Sequence, residues 1–145
     1  VAEETLWPYV ISQFTKKPSK AAYADAAKRV KPLVKNYQRV TDLPTLKSAL
    51  AVGHVVTFGF SVPDYFESQD VATTGWVRMP TASDQMIGGH AVVAVGYDDT
   101  ASTPFVWVRN SWGPAWGLKG YFKMDQRWFS DPRRLTDDMW TVLPA

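Results

Sequence analysis

The chain has 145 residues, the size of one ordinary domain, and 46% of them are hydrophobic, enough apolar material for a buried core. Sixteen Lys and Arg against fourteen Asp and Glu leave a formal charge of +2 with the signs interspersed, which argues against a nucleic-acid partner. Cysteine is absent, which excludes disulfides, thiolate metal ligands and any thiol nucleophile carried on this chain.

With only His54 and His90 as imidazoles, and no carboxylates at ligand spacing, neither a metal site nor a cofactor is expected. No run approaches the roughly eighteen apolar residues of a membrane span, so no membrane partner is expected either. The opening "VAEETLWPYV" lacks the basic-then-apolar order of a signal peptide.

In chain order, "PSKAAYADAAKRV" predicts a solvent-facing helix from about Lys20 to Val30, with Ser19 as N-cap and Pro32 beyond its end. "YQRV" reads as a brief strand. "TDLPTLKSALAVG" predicts a second helix, capped by Thr41 or Asp42 and stopped near Gly53. Its Leu43, Leu46, Ala49 and Leu50 share one face, which should pack on a sheet.

From Val55 onward strand signals dominate. Val55 to Val62 is one strand, "TTGWVRM" a shorter one, "HAVVAVGYDD" a third, "TPFVWVRNSWG" a fourth and "GYFKM" a fifth. The continuous apolar run "AVVAVGY" implies burial on both faces, as in a small closed or strongly curled sheet. Trp140 and Val142 suggest that the C-terminal tail docks back on the body. The expected fold class is α+β: a curled antiparallel sheet or half-barrel with short flanking helices, residues 1–145 forming a single domain.

If "HAVVAVGYDD" and "FVWVRN" form an antiparallel hairpin turning near "DTAST", residues paired across it sum to about 200. His90 and Asn110 meet that sum. An Asn side-chain oxygen beside an imidazole accepts its N–H and fixes the tautomer, leaving the other nitrogen free to serve as a general base. Trp112, two residues on, is placed to cover the pair. Taken singly, a His at a strand end is ordinarily a structural residue and Asn before Ser an ordinary turn former, and His54, with no evident partner, keeps that bland reading.

"GGHAVVAVGYDD" followed by "VRNSWGPAWGLKGYF" resembles the second half of the papain-like cysteine peptidases, densely so over residues 88–124. "EETLWPY" and "DLPTLKSALAVGHVVTFGF" are similar to segments upstream of the histidine in that family, and extend the resemblance over most of the chain. The resemblance implies the right-hand, His- and Asn-bearing domain of a papain-like fold. It implies that His90 is the catalytic histidine, Asn110 the residue orienting it and Trp112 the indole shielding both. It further implies that Ala91 helps line a substrate side-chain pocket and that Trp116 stands on the primed side of the cleft. Phe58 and Ala91 together hint at an apolar substrate pocket. Gly89 stands where many members have Asp.

The departure is the nucleophile. In the family it lies about 130 residues before the histidine, at the N-terminus of a long helix, whereas 89 residues precede His90 here. The expected function is therefore cysteine-type peptide-bond hydrolysis in which this chain supplies His and Asn, and a Cys-bearing N-terminal half, absent here, supplies the thiol. The expected partners are that half and a peptide or protein substrate, and the isolated chain is expected to be inactive. Two other readings stand: a fragment of a complete peptidase, and a catalytically inactive papain-fold binding or structural module.

Overall fold

The computed structural model describes residues 2–29 and 34–144. They fall into two compact units, Val1–Lys35 with Pro144–Ala145, and Asn36–Leu143. In the first unit, helix α1 (Lys20–Lys28) begins where the Ser19 hydroxyl accepts the Ala22 N–H at 3.1 Å, the expected cap. Ala22 is its only buried residue, as a polar helix surface predicts. The expected end at Val30 and the stop at Pro32 lie outside the described residues.

The rest is built on a seven-stranded sheet in the order β1-β7-β2-β4-β5-β6-β3. The strands are β1 Val34–Arg39, β2 Val56–Pro63, β3 Trp76–Val77, β4 Met86–Asp98, β5 Phe105–Arg109, β6 Tyr121–Asp125 and β7 Thr136–Pro144. The pairings β2–β4, β2–β7, β4–β5 and β5–β6 are antiparallel, whereas the short β3 lies parallel to β6. With β1 and β3 as edges the sheet is open rather than closed.

Helix α2 (Leu43–Ala51) starts where the Asp42 carboxylate accepts the Thr45 N–H at 2.8 Å. Leu46 is fully buried, and Leu43, Ala49 and Leu50 pack against the core, so the predicted apolar face meets its sheet. On β2 burial alternates: Val56, Phe58, Phe60 and Val62 point inward, joined by Val92 and Ala94 of β4, Val106 and Val108 of β5, and Phe122 and Met124 of β6. Burial of β4 on both faces does not hold. Ala94 is fully buried, but its neighbour Val95 is 36% exposed, because only one face of the sheet carries the core.

"TTGWVRM" is not one strand. Thr73 and Thr74 end helix α3 (Gln69–Thr74), whose cap is Ser68 and whose stop is Gly75 at φ 62, a left-handed conformation that a glycine takes without strain. The tail does dock, as β7 against β2. Its anchors are Leu135, Met139 and Thr141, all buried; Val142, on the opposite face, is 38% exposed.

Candidate active site

His90 lies inside β4, not at its mouth, because the strand starts four residues earlier at Met86. It pairs across the ladder with Phe60 on the inward face of the sheet. Asn110 follows β5 and is anchored by its N–H to the Gly120 carbonyl at 2.9 Å. The two are not direct cross-strand partners. Beyond the bulge between Ala94 and Gly96 the register is Val93↔Arg109, a sum of 202 rather than 200, so His90 and Asn110 meet diagonally.

They nevertheless bond: His90 Nε2 and Asn110 Oδ1 are 2.9 Å apart. The same Oδ1 accepts the Ser111 backbone N–H at 2.8 Å, so a fixed donor identifies this atom as the amide's oxygen. The His90 proton in this bond is therefore on Nε2, so in the neutral ring it is Nδ1 that carries the lone pair. That is the tautomer a base needs if Nδ1 is to take a proton from a nucleophile. Asn110 is 6% exposed, and burial shields the bond from competition by water.

Aromatic rings enclose the imidazole. Trp112 lies with its ring centroid 5.3 Å from that of His90 and tilted 31°, while Phe60 at 5.9 Å and Phe66 at 6.3 Å complete the surround. Trp116 stands edge-on to Trp112 at 5.1 Å and also packs on Phe66 and Phe122. His90, Asn110, Trp112 and Trp116 thus form one cluster. Ala91 faces the opposite side of β4, opposite Gly59, and with Ser61, Gly89, His90 and Asp137 lines a cleft of about 490 Å³.

Phe58 does not join the site. It is 2% exposed, its ring packed between Phe60 and Phe129, so the expected apolar pocket residue is a core residue. His54 sits just before β2, at the end away from Phe60, and its N–H completes the turn after α2 by donating to Ala49 O at 3.0 Å. Among the described residues no three of His, Asp and Glu gather as metal ligands.

Sequence reasoning missed Phe60 and Phe66. Phe60 was within reach, since alternation puts it on the face of β2 that carries Phe58 and Val62; Phe66 sits in a short 3₁₀ segment, Asp64–Glu67, with no periodic signal. Within that segment Tyr65 donates its hydroxyl proton to the Arg78 carbonyl, and the Arg78 guanidinium lies 4.0 Å from its ring centre. Burial pushes the Tyr65 phenol above its ordinary pKa, so it remains a donor. Arg78 in turn holds Asp84 in a two-pronged pair at 2.7 and 2.9 Å, which with the Thr81 N–H keeps that carboxyl well below the usual carboxylate range.

Comparison with known proteins shows the family. Residues 1–131 match the family described as "Papain family cysteine protease". An uncharacterized peptidase C1-like protein of Acanthamoeba polyphaga mimivirus is 41% identical over 98% of this chain, and bovine pro-cathepsin H is 34% identical over 64% of it. The fold of xylellain, a cysteine protease from Xylella fastidiosa, covers 100% of the chain with a TM-score of 0.83 and 34% identity. Bromelain from Ananas comosus shares the fold, with a TM-score of 0.67 at 21% identity. The chain spans 47% of the viral relative, 28% of the bovine one and 57% of the xylellain chain. The chain belongs to the papain family of cysteine proteases and has the α+β fold of that family's His- and Asn-bearing portion.

Proposed function

We propose that this chain supplies the histidine and asparagine of a cysteine peptidase whose thiolate comes from a Cys-bearing half. The observation that carries this reading is the His90–Asn110 bond with Oδ1 fixed by the Ser111 N–H, which leaves Nδ1 free for a thiol. His90 takes the thiol proton on Nδ1. The thiolate attacks the peptide carbonyl carbon, and the imidazolium returns its proton to the leaving amine nitrogen as the C–N bond breaks. His90 then takes a proton from water as its oxygen attacks the acyl-enzyme, and the thiolate leaves.

The flanking residues have subordinate roles. Trp112 keeps water from the His–Asn bond, Ala91 lines the pocket for a substrate side chain, and Trp116 borders the leaving-group side. The competing reading, a papain-fold binding module without catalysis, draws on the lack of cysteine in the sequence.

The test is the identity of what copurifies with the chain in its native source, together with thiol-alkylation of that material. A companion segment carrying an alkylatable Cys, with peptide hydrolysis that the alkylating reagent abolishes, supports the peptidase. No companion and no thiol-sensitive hydrolysis supports the binding module.

A further inference from the structure

The cleft of about 490 Å³ beside His90 has a chemical character that the catalytic pair does not set. Register lines up Ala91 of β4, Gly59 of β2 and Asp137 of β7 as one row across three adjacent strands, and all three line the cleft. Residues paired across a ladder point to the same face. Leu135 and Met139, two residues to either side of Asp137, are buried, which sets Asp137 on the outward face with Ala91. The row runs two strand spacings, about 10 Å, from the residue next to His90 to a carboxylate.

The middle of that row is bare. Gly59 has no positive φ, and a Cβ there would meet only the Asp137 carbonyl oxygen, at an ordinary 3.7 Å. Gly89, paired with Ser61 one row further along the same face, is alike: its Cβ would lie 3.9 Å from the Phe60 carbonyl oxygen. Neither backbone conformation nor packing within this chain calls for glycine at these points, and a glycine inside a strand weakens it and marks a place of close approach. What the two glycines do is keep the cleft open toward Asp137.

Asp137 is the one carboxylate in the cleft wall. Asp25, Asp84, Asp99, Asp125 and Asp131 each hold a cation, whereas Asp137 holds none among the described residues. Its Oδ1 accepts the Asp138 N–H at 2.6 Å, which orients the carboxylate and leaves Oδ2 for a donor. Arg134, in the turn before β7, also borders the cleft, but it stands off the row and is exposed, so its solvated charge tempers that of Asp137 without cancelling it.

Resting on the peptidase reading above, we propose that this cleft selects a peptide substrate carrying lysine or arginine at the position whose side chain enters past Ala91. The aliphatic stem lies along Ala91 and Gly59, and the cationic head donates to Asp137 Oδ2.

The test uses the assembled peptidase and fluorogenic peptides in which each position before the scissile bond carries in turn lysine, norleucine, glutamate or alanine. At one position kcat/KM is expected to be about tenfold higher for lysine than for norleucine, the lysine stem without its charge, as one charge-assisted hydrogen bond provides. Asp137→Asn keeps an acceptor for the Asp138 N–H and is expected to remove that preference, whereas Arg134→Gln takes away a like charge and should widen it. Gly59→Val should slow the lysine peptide more than the alanine peptide. Equal rates for lysine and norleucine at every position, a preference for glutamate, or a lysine preference that Asp137→Asn leaves unchanged overturns this inference, while the hydrolysis itself leaves the peptidase reading standing. No hydrolysis of any peptide in the set overturns both.

Discussion

Asn110 Oδ1 accepts two hydrogen bonds, and because one comes from the Ser111 backbone the amide cannot turn over without losing it. Its value to His90 is orientation. In the assembled peptidase, His90→Ala is expected to lower kcat by about 10² to 10⁴, the range of a lost general acid–base group. Asn110→Ala should cost about 10² through misplacement of the ring, with the acid–base group itself retained. Steady-state kinetics measure both losses. Gly117 shows a different constraint: at φ 59, an added Cβ would lie 2.6 Å from the Tyr121 carbonyl oxygen. Gly117→Ala should therefore destabilise the Trp112–Gly120 turn by about 2 kcal/mol or more, measured by denaturant unfolding.

At this scale the pairing of His90 with Asn110 was legible in the sequence, because two separate motifs converge on these two residues. Their register was not. A hairpin sum assumes a turn position and an unbroken ladder: the Asp99–Pro104 connection sets it at 203 for Asp98↔Phe105, and the bulge at Ala94/Gly96 brings it back only to 202 at Val93↔Arg109. Phe58 was misread for a related reason: alternation groups it with Phe60 and Val62 but does not say which side of the sheet faces the cleft.

The helices and strands follow local chemistry where that chemistry is strong. Ser19 and Asp42 cap α1 and α2 as their sequences announce. Replacing Asp42 with Ala should cost about 1 kcal/mol, readable as a lower midpoint in urea. Helix α3 and the 3₁₀ segment Gln126–Ser130 went unread, being too short for a helical period to emerge and held by tertiary contacts such as Trp128 Nε1 to the Arg78 carbonyl at 3.0 Å.

The Arg78–Asp84 pair predicts an acid limb. Asp84 is held below its free value of 3.8, so its contribution to stability is complete above that pH and drains away as the pH falls toward the folded pKa. Thermal melting of Asp84→Asn should accordingly show a lower stability than wild type at neutral pH, with the gap closing below pH 3.8.

Across the whole molecule, one face of the sheet is packed and the other is open along Val55, Val95 and Val142. Composition could not reveal this, since an apolar strand reads alike whether its second face meets its own chain or another. An isolated chain with such a face should self-associate, and sedimentation should show concentration-dependent mass; a compact monomer at all concentrations would count against an interface there.

In the proposed assembly His90 serves a thiol that this chain lacks. The most direct measurement is hydrolysis of a fluorogenic peptide by the chain alone, by the Cys-bearing half alone, by the two together, and by the two together with His90→Ala. Activity is expected only in the wild-type combination. Hydrolysis by the isolated chain, or by a combination in which His90→Ala makes no difference, would contradict it.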